Sequence, residues 1–599
     1  MSEASTARAA FTNTLRRWWP FVLVAVGGVA LRSIVPMDIV WGSGHDSQLQ
    51  VVLARNIGNG YWLGGEHIPE MWIGSQWNLA LAKGVGYPLF LVLVRPFGLN
   101  PVIAAYLVYL AGAFMVARAV VAWCGRRWGL AMFTLLVFSP ALFSGDFSRV
   151  YRNNLIAALA LVALGLALSM SRCLQAVGEF FRGDDSAPRR AKYAPLFVRG
   201  ALLGVSFGAL WITRLDVHWI ALSCVVPISI AAWPIIVAAW PKIHKNRALF
   251  TVVFPLGVCV LTSAAVLPLS VALMNRAQYG IFATDDYGSG PIAETQILLS
   301  RIEATPSHPL VHVNAEQRGK GYLVSPSLNQ IRAQLEDPAS PWKGISFSPG
   351  AIGESAGWFS WELRDAPVKA GLVSTLGELH DFFGATEQEL RVACKNGTLQ
   401  CSAPGEFAPG VRFITQVDRQ LLRDWFAVAL RVHARGAGAP NFFNLTPLGI
   451  PDLDALWTET VNGVDTVAAP RQVTWPATYF GQVSTWLTGC ALVSVPLAAV
   501  ALAVRRRWPR WNLVLIGVGC LAGALLNALI VTWFSVEIGV STEYNAGYLF
   551  AAQSFVYVGL FLLFVAFVQP LFGVTKRLRG ADVPESGRFE PSEHSPGSN

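Results

Sequence analysis

Asp46 stands in Gly42-Ser43-Gly44-His45-Asp46-Ser47, just past the first apolar run, where apolar positions 49, 52, 53 and 57 begin to recur at helical spacing. A carboxylate at such a helix start, half sheltered from water, is a candidate general base. Desolvation and cationic neighbours would tune it, and His45 could share its proton. An N-cap aspartate is the simpler reading, and the two are compatible. A second group is Asp146, Arg149 and Arg152 in the loop Ser144 to Asn154. Arginine offers a planar fork to phosphate oxygens, and Asp146 could orient an arginine or hold a divalent cation such as Mg or Mn. Headgroup binding with ion pairing is the alternative. A third group, Arg214, Asp216 and His218, lies at a tight turn between two apolar runs. Ionisable residues at membrane depth are costly and point to function unless they form a structural pair. Lys83 is a supporting candidate; Glu66, Glu70, Arg32 and Asp38 are weaker ones.

These residues are set among apolar segments. The chain of 599 residues is 53% hydrophobic and 14% charged, with mean hydropathy +0.44, whereas soluble domains carry about 25% charge. Ten spans are expected, at about 18–38, 101–122, 129–144, 153–170, 196–213, 217–240, 249–273, 482–504, 511–533 and 547–570. The net charge of +9 resembles a nucleic-acid signal. Its basic clusters, however, fall at alternate span ends (Arg16-Arg17, Arg126-Arg127, Arg189-Arg190, Lys242 to Arg247, Arg505 to Arg507, Lys576 to Arg579), all on one side if both termini are cytoplasmic. The first span then reads as a signal anchor.

The resulting order is a cytoplasmic segment 1–17, a transmembrane core 18–274 with an external loop 38–100, an external soluble domain 275–481, C-terminal spans over 482–570 and a disordered cytoplasmic tail 571–599. The fold class is an α-helical polytopic membrane protein with a mixed α/β external domain. The segment 84–96 is short and bracketed by Pro88 and Pro96, which suggests a re-entrant or interfacial piece. The stretch after Asp46 reads as a helix lying in the interface, and Val417 to Ala434 as a helix of the external domain. Cys394 and Cys401 face an oxidising compartment on this topology and suggest a small disulfide loop; two free thiols are the alternative. Trp358 and Trp361 could stack on a sugar ring or serve as domain core.

No P-loop, His-Glu-x-x-His, Gly-x-Ser-x-Gly or Cys-x-x-Cys pair is present. The arrangement of Asp46 in the first external loop, Asp146 in the next, interfacial helices and an external domain resembles the GT-C superfamily of membrane glycosyltransferases. Tyr61-Trp62-Leu63-Gly64, Lys83 to Phe90, and the stretch from Trp361-Glu362-Leu363-Arg364-Asp365 to Cys394 and Cys401 are similar to one bacterial branch of it. Ser47 departs from that branch, which tends to carry a second acid there. The resemblance implies a transferase of the bacterial plasma membrane. Its donor is a sugar on a polyprenyl phosphate, its acceptor a cell-envelope glycan or glycolipid, and its mechanism inverting. Asp46 is the base, and Arg149, Arg152 and Arg214 hold the donor phosphate. A lipid-linked sugar transporter or flippase, and a non-catalytic envelope scaffold, are the alternatives.

Overall fold

The computed structural model describes residues 2–35, 45–63, 80–182, 193–214, 218–239, 253–287, 289–305, 311–343, 353–402, 416–435, 475–505, 508–538 and 546–572, with no side-chain account of 2–17, 45–48, 145–146, 176–182, 234–239, 356, 416–418, 434–435, 537–538, 546 and 572. The membrane part comprises α1 (Ser2–Ile34), α2 (His45–Gly58), α3 (Gly86–Val94), α4 (Pro101–Cys124), α5 (Arg126–Val137), α6 (Arg152–Arg182), α7 (Ala194–Thr213), α8 (His218–Ala239) and α9 (Phe254–Tyr279). Next come α10 (Pro291–Ser300), α11 (Ala315–Val324), α12 (Phe359–Lys369), α13 (Leu376–Lys395) and α14 (Gln416–Arg435). The chain then returns to the bundle with α15 (Trp475–Val504), α16 (Trp511–Ile538) and α17 (Ala546–Val568).

Seven described helices are long and apolar enough to cross a membrane: α4, α6, α7, α9, α15, α16 and α17. By length and composition the chain is a helical, multi-pass membrane protein. The spans expected at 18–38 and 217–240 overlap α1 and α8, whose described apolar stretches are Trp18–Ile34 and His218–Trp233. Helix α6 is the central element, buried along most of its length and in contact with α4, α7, α8 and α17. Its approach to α4 rests on small residues. A Cβ on Gly112 would lie 2.7 Å from the Val162 nitrogen, and one on Gly165 would lie 2.6 Å from Cβ of Met115.

The span expected at 129–144 is broken. Pro140 lacks an N–H and holds Ser139 extended (φ −59°, ψ 127°), so α5 stops at Val137 and a 3-10 turn, Pro140–Phe143, follows. Irregular backbone at membrane depth persists only where protein satisfies it. Here the Tyr106 hydroxyl donates to the Val137 carbonyl at 3.0 Å, while Gln553 Oε1 accepts from the Ser139 hydroxyl at 3.1 Å and the Ala141 amide at 3.2 Å.

The described residues between 281 and 402 form a helical body around Leu299, Leu328, Leu335, Phe359, Phe383 and Leu390. The strands expected of a mixed α/β domain are not found among the described residues; an isolated antiparallel bridge between Ile302 and Cys401 is present instead. The reason is local: apolar residues here recur at helical spacing and helix starts are capped. Asn314 and Gln317 form a capping box on α11, and the Thr375 hydroxyl accepts from the Glu378 amide on α13. Cys394 and Cys401 are joined by a disulfide.

Helix α14 leaves this body. Its apolar face, with Phe426, Ala429 and Val432, packs on Ala528, Val531 and Phe550 of α16 and α17. Its Leu421, Leu422 and Trp425 meet Val536 and Val311. The helix expected in the external domain at Val417 to Ala434 thus packs its apolar face on the bundle.

Candidate functional site

The site is assembled where the loop ending in Lys83, the loop 144–151, the C-terminus of α7 and the N-terminus of α17 meet. In the loop Lys83-Gly84-Val85-Gly86, glycine is required by close approach. A Cβ on Gly84 would collide with the Ile212 and Thr213 carbonyls, and one on Gly86 with the Thr213 side chain. The loop therefore lies directly on the last turn of α7, beside Arg214, its C-cap residue. Tyr87, at the start of α3, is buried next to Asn154 and the Tyr151 backbone.

Arg149, Arg152 and Arg214 come together on two tyrosines. The guanidinium carbons of Arg149 and Arg152 lie 5.3 and 5.4 Å from the Tyr151 ring centroid, and that of Arg214 lies 4.2 Å from Tyr548. The two hydroxyls are hydrogen-bonded at 3.1 Å, with the rings edge to face. Arg214 also donates to Asn153 Oδ1 at 3.3 Å. The Asn154 side chain donates to the Arg149 carbonyl at 3.0 Å and so shapes the loop. Arg32 closes this corner: buried at the end of α1, it donates to the Ser148 hydroxyl at 3.0 Å and the Val35 carbonyl at 3.1 Å.

Asp46 is in the first turn of α2. Leu49 and Leu53 of that helix share a cluster with Leu81, Val85 and Ile212, which sets α2 beside the Lys83 loop. Residues 49–54 are buried all round, so this helix is enclosed by protein rather than lying flat in an interface. Gln50, one turn after Asp46, is fully buried, and neither of its amide atoms has a partner among the described residues. The side chains of His45, Asp46, Ser47 and Asp146, and the whole of Asp216, Glu66 and Glu70, lie outside the described residues. His218 is exposed, and its ring stands edge-on to Trp211 at 5.8 Å.

Lys83 reaches the helical body instead of the arginines: its ammonium lies 4.7 Å from the Trp361 ring centroid. Trp361 is 8% exposed and stacks on Trp342, which also stacks on Trp358. Trp342 and Trp361 are core residues and Trp358 packs half-buried against them, which disfavours sugar stacking by Trp361. The same region is fastened to the loop by the Asp286 amide, which donates to the Leu81 carbonyl at 3.0 Å. Both oxygens of buried Asp286 accept from Arg364, at 2.6 and 3.0 Å. Trp62 has a left-handed backbone (φ 56°), held by its indole donating to Asn275 at 2.8 Å.

Sequence reasoning named the arginines but not Tyr548, Gln50 or Asn153. Tyr548 lies 397 positions from Tyr151, and no spacing pattern connects them. Among the described residues no three His, Cys, Asp or Glu side chains gather as metal ligands. Asp146, the residue tied to a cation, is not described at its side chain.

No family model and no curated protein matches the chain. Among solved structures, ArnT from Cupriavidus metallidurans in the apo state is similar at 14% identity over 95% of this chain and 79% of that one, with TM-score 0.29. The same protein bound to undecaprenyl phosphate is similar at 15% identity over 92% and 78%, again with TM-score 0.29. A TM-score this low carries no argument, so the functional reading rests on the chain's own residues.

Proposed function

We propose that this protein is a membrane glycosyltransferase of the GT-C type. It takes a sugar from a polyprenyl-phosphate donor on the outer face and moves it to a cell-envelope glycan or glycolipid. The supporting observation is the convergence of Arg149, Arg152 and Arg214 on Tyr151 and Tyr548, at one end of an apolar bundle and near the helix that bears Asp46. Clustered guanidinium groups suit the phosphate of a lipid whose chain lies in the bilayer. On this reading both termini are cytoplasmic, and the body within 275–481 stands outside and helps to hold the acceptor.

Asp46 takes the proton from an acceptor hydroxyl as its oxygen attacks the anomeric carbon. The bond from that carbon to the phosphate oxygen breaks on the opposite face, so the configuration inverts. The electron pair leaves with the polyprenyl phosphate, whose charge the three arginines stabilise. His45 tunes the base. Lys83, Asp146, Asp216 and His218 are supporting residues, Asp146 with a divalent cation if one is used.

One observation favours the transporter alternative: α5 is interrupted at Ser139-Pro140, and discontinuous helices are a transporter device. The groups freed there are already taken by Tyr106 and Gln553, which leaves the transferase as the better account. The test compares envelope glycans and polyprenyl-phosphate-sugar pools in a deletion strain complemented with wild type or Asp46→Asn. Loss of one sugar linkage with donor accumulation, rescued by wild type alone, is expected. Equal rescue by both would remove Asp46 as base.

A further inference from the structure

Three arginines from two distant chain segments share one support. We propose that Tyr548 and Tyr151 are a positioning pair that gathers Arg149, Arg152 and Arg214 around a single lipid monophosphate; this rests on the phosphate reading above. Tyr548 stands near the N-terminus of α17, backed by Phe534 of α16 at 5.7 Å. Its ring carries Arg214 at 4.2 Å, and its hydroxyl meets that of Tyr151 at 3.1 Å. Tyr151 is 4% exposed, and its ring carries Arg149 and Arg152. All three separations fall within the roughly 6 Å over which a ring quadrupole attracts a cation.

The chemistry explains why tyrosine suits this place. A carboxylate would anchor an arginine but cancel its charge. An aromatic face orients the guanidinium plane while adding no negative charge, and the N–H donors lie along the plane's edge, away from the ring. The hydroxyl bridge then links the α6 side of the cluster to the α17 side. Arg214 comes from the end of α7, Arg149 from the loop before α6 and Arg152 from the first residue of α6, so the pair adds a second tie between these segments beside the Arg214–Asn153 hydrogen bond.

The test is a double-mutant cycle on undecaprenyl monophosphate binding to the full-length protein in phosphatidylcholine nanodiscs, with inorganic phosphate as a second probe. Arg214→Ala should weaken binding of the lipid about tenfold, and Tyr548→Leu by about the same factor. The double variant should lose little more than either alone, because both changes remove one unit. Tyr548→Phe, which keeps the ring, should bind more tightly than Tyr548→Leu. Multiplicative losses in the double variant, or unchanged binding by Tyr548→Leu while Arg214→Ala is weakened, would overturn the pair and leave the phosphate reading intact. Unchanged binding by Arg214→Ala would overturn the phosphate reading itself. Saturation by inorganic phosphate with the lipid ignored would overturn the lipid assignment. If Tyr548→Leu does not fold, Tyr548→Phe and Tyr151→Phe carry the test. Each should weaken binding, and together no more than one alone, since they share one hydrogen bond; additive losses would overturn the proposal.

Discussion

Arg214 is held from two sides, its guanidinium carbon 4.2 Å from the Tyr548 ring centroid and its Nη1 donating to Asn153 Oδ1. Lysine keeps the charge but has neither the plane to stack nor the fork to bridge two acceptors. Arg214→Lys should therefore raise the KM for a polyprenyl-phosphate donor about tenfold, the loss of a charge-assisted hydrogen bond, with a smaller change in kcat. Steady-state kinetics in nanodiscs checks this, and an unchanged KM would mean that only the positive charge matters. The same scale shows why Lys83 differs from the arginines: its ammonium is placed by Trp361, a residue of the helical body.

At the scale of elements, the interruption between α5 and the turn Pro140–Phe143 depends on a side chain over 400 positions away. Gln553 accepts from both the Ser139 hydroxyl and the Ala141 amide. Gln553→Leu leaves two buried donors without an acceptor and should cost about 1–3 kcal/mol. A lower Tm of the purified protein in detergent would register this, whereas Gln553→Glu, which keeps acceptor oxygens, should fall less. Equal Tm values for Gln553→Leu and wild type would show that water reaches the break. Helix α14 illustrates a second element-level effect. Its amphipathic pattern states that one face is buried, but not against what, and its packing mainly on α16 and α17, with Val311 of the helical body at one end, is decided by tertiary contacts.

At the scale of the whole molecule, the helical body and the bundle meet through Asp286 on Leu81 and Trp361 on Lys83. The body is braced by buried Arg318, which donates to Glu336 at 2.8 and 2.9 Å and to Glu354 at 2.6 Å, while the Tyr322 hydroxyl donates to Glu336 at 2.7 Å. Burial pushes the Glu336 pKa up, but the hydrogen bonds from Arg318 and Tyr322, with the Arg318 charge, outweigh it and hold the group below its ordinary 4.5. A carboxylate depressed on folding contributes stability that is present above its unfolded pKa and lost as the pH falls through the folded one. Hydrogen exchange on the full-length protein should therefore show residues 311–343 losing protection below about pH 4.5, the ordinary glutamate value. Arg318→Met should lose that protection already at neutral pH, because it strands Glu336 and Glu354. Protection unchanged by acid or by the substitution would show that this network does not brace the body.

The sequence by itself determined the class of molecule, because long apolar runs can be satisfied only as helices in a membrane. Seven of the expected spans are found as long apolar helices. It also singled out Arg149, Arg152 and Arg214, since arginine on the side opposite the basic clusters, or at a tight turn between apolar runs, runs against the usual placement of cations. It could not decide what those arginines rest on, because Tyr548 reaches them only after α17 packs against α6. Nor could it decide the helical character of the described residues between 281 and 402, where a rising charged fraction and a soluble pattern read as a mixed α/β domain, while capped starts such as Asn314 and Thr375 open helices. Tertiary structure alone decided which face each amphipathic stretch buries: α2 is enclosed and α14 lies on the bundle. A hydrophobic pattern records that a side chain leaves water, whereas the partner that covers it is set by the packing of segments far apart in the chain.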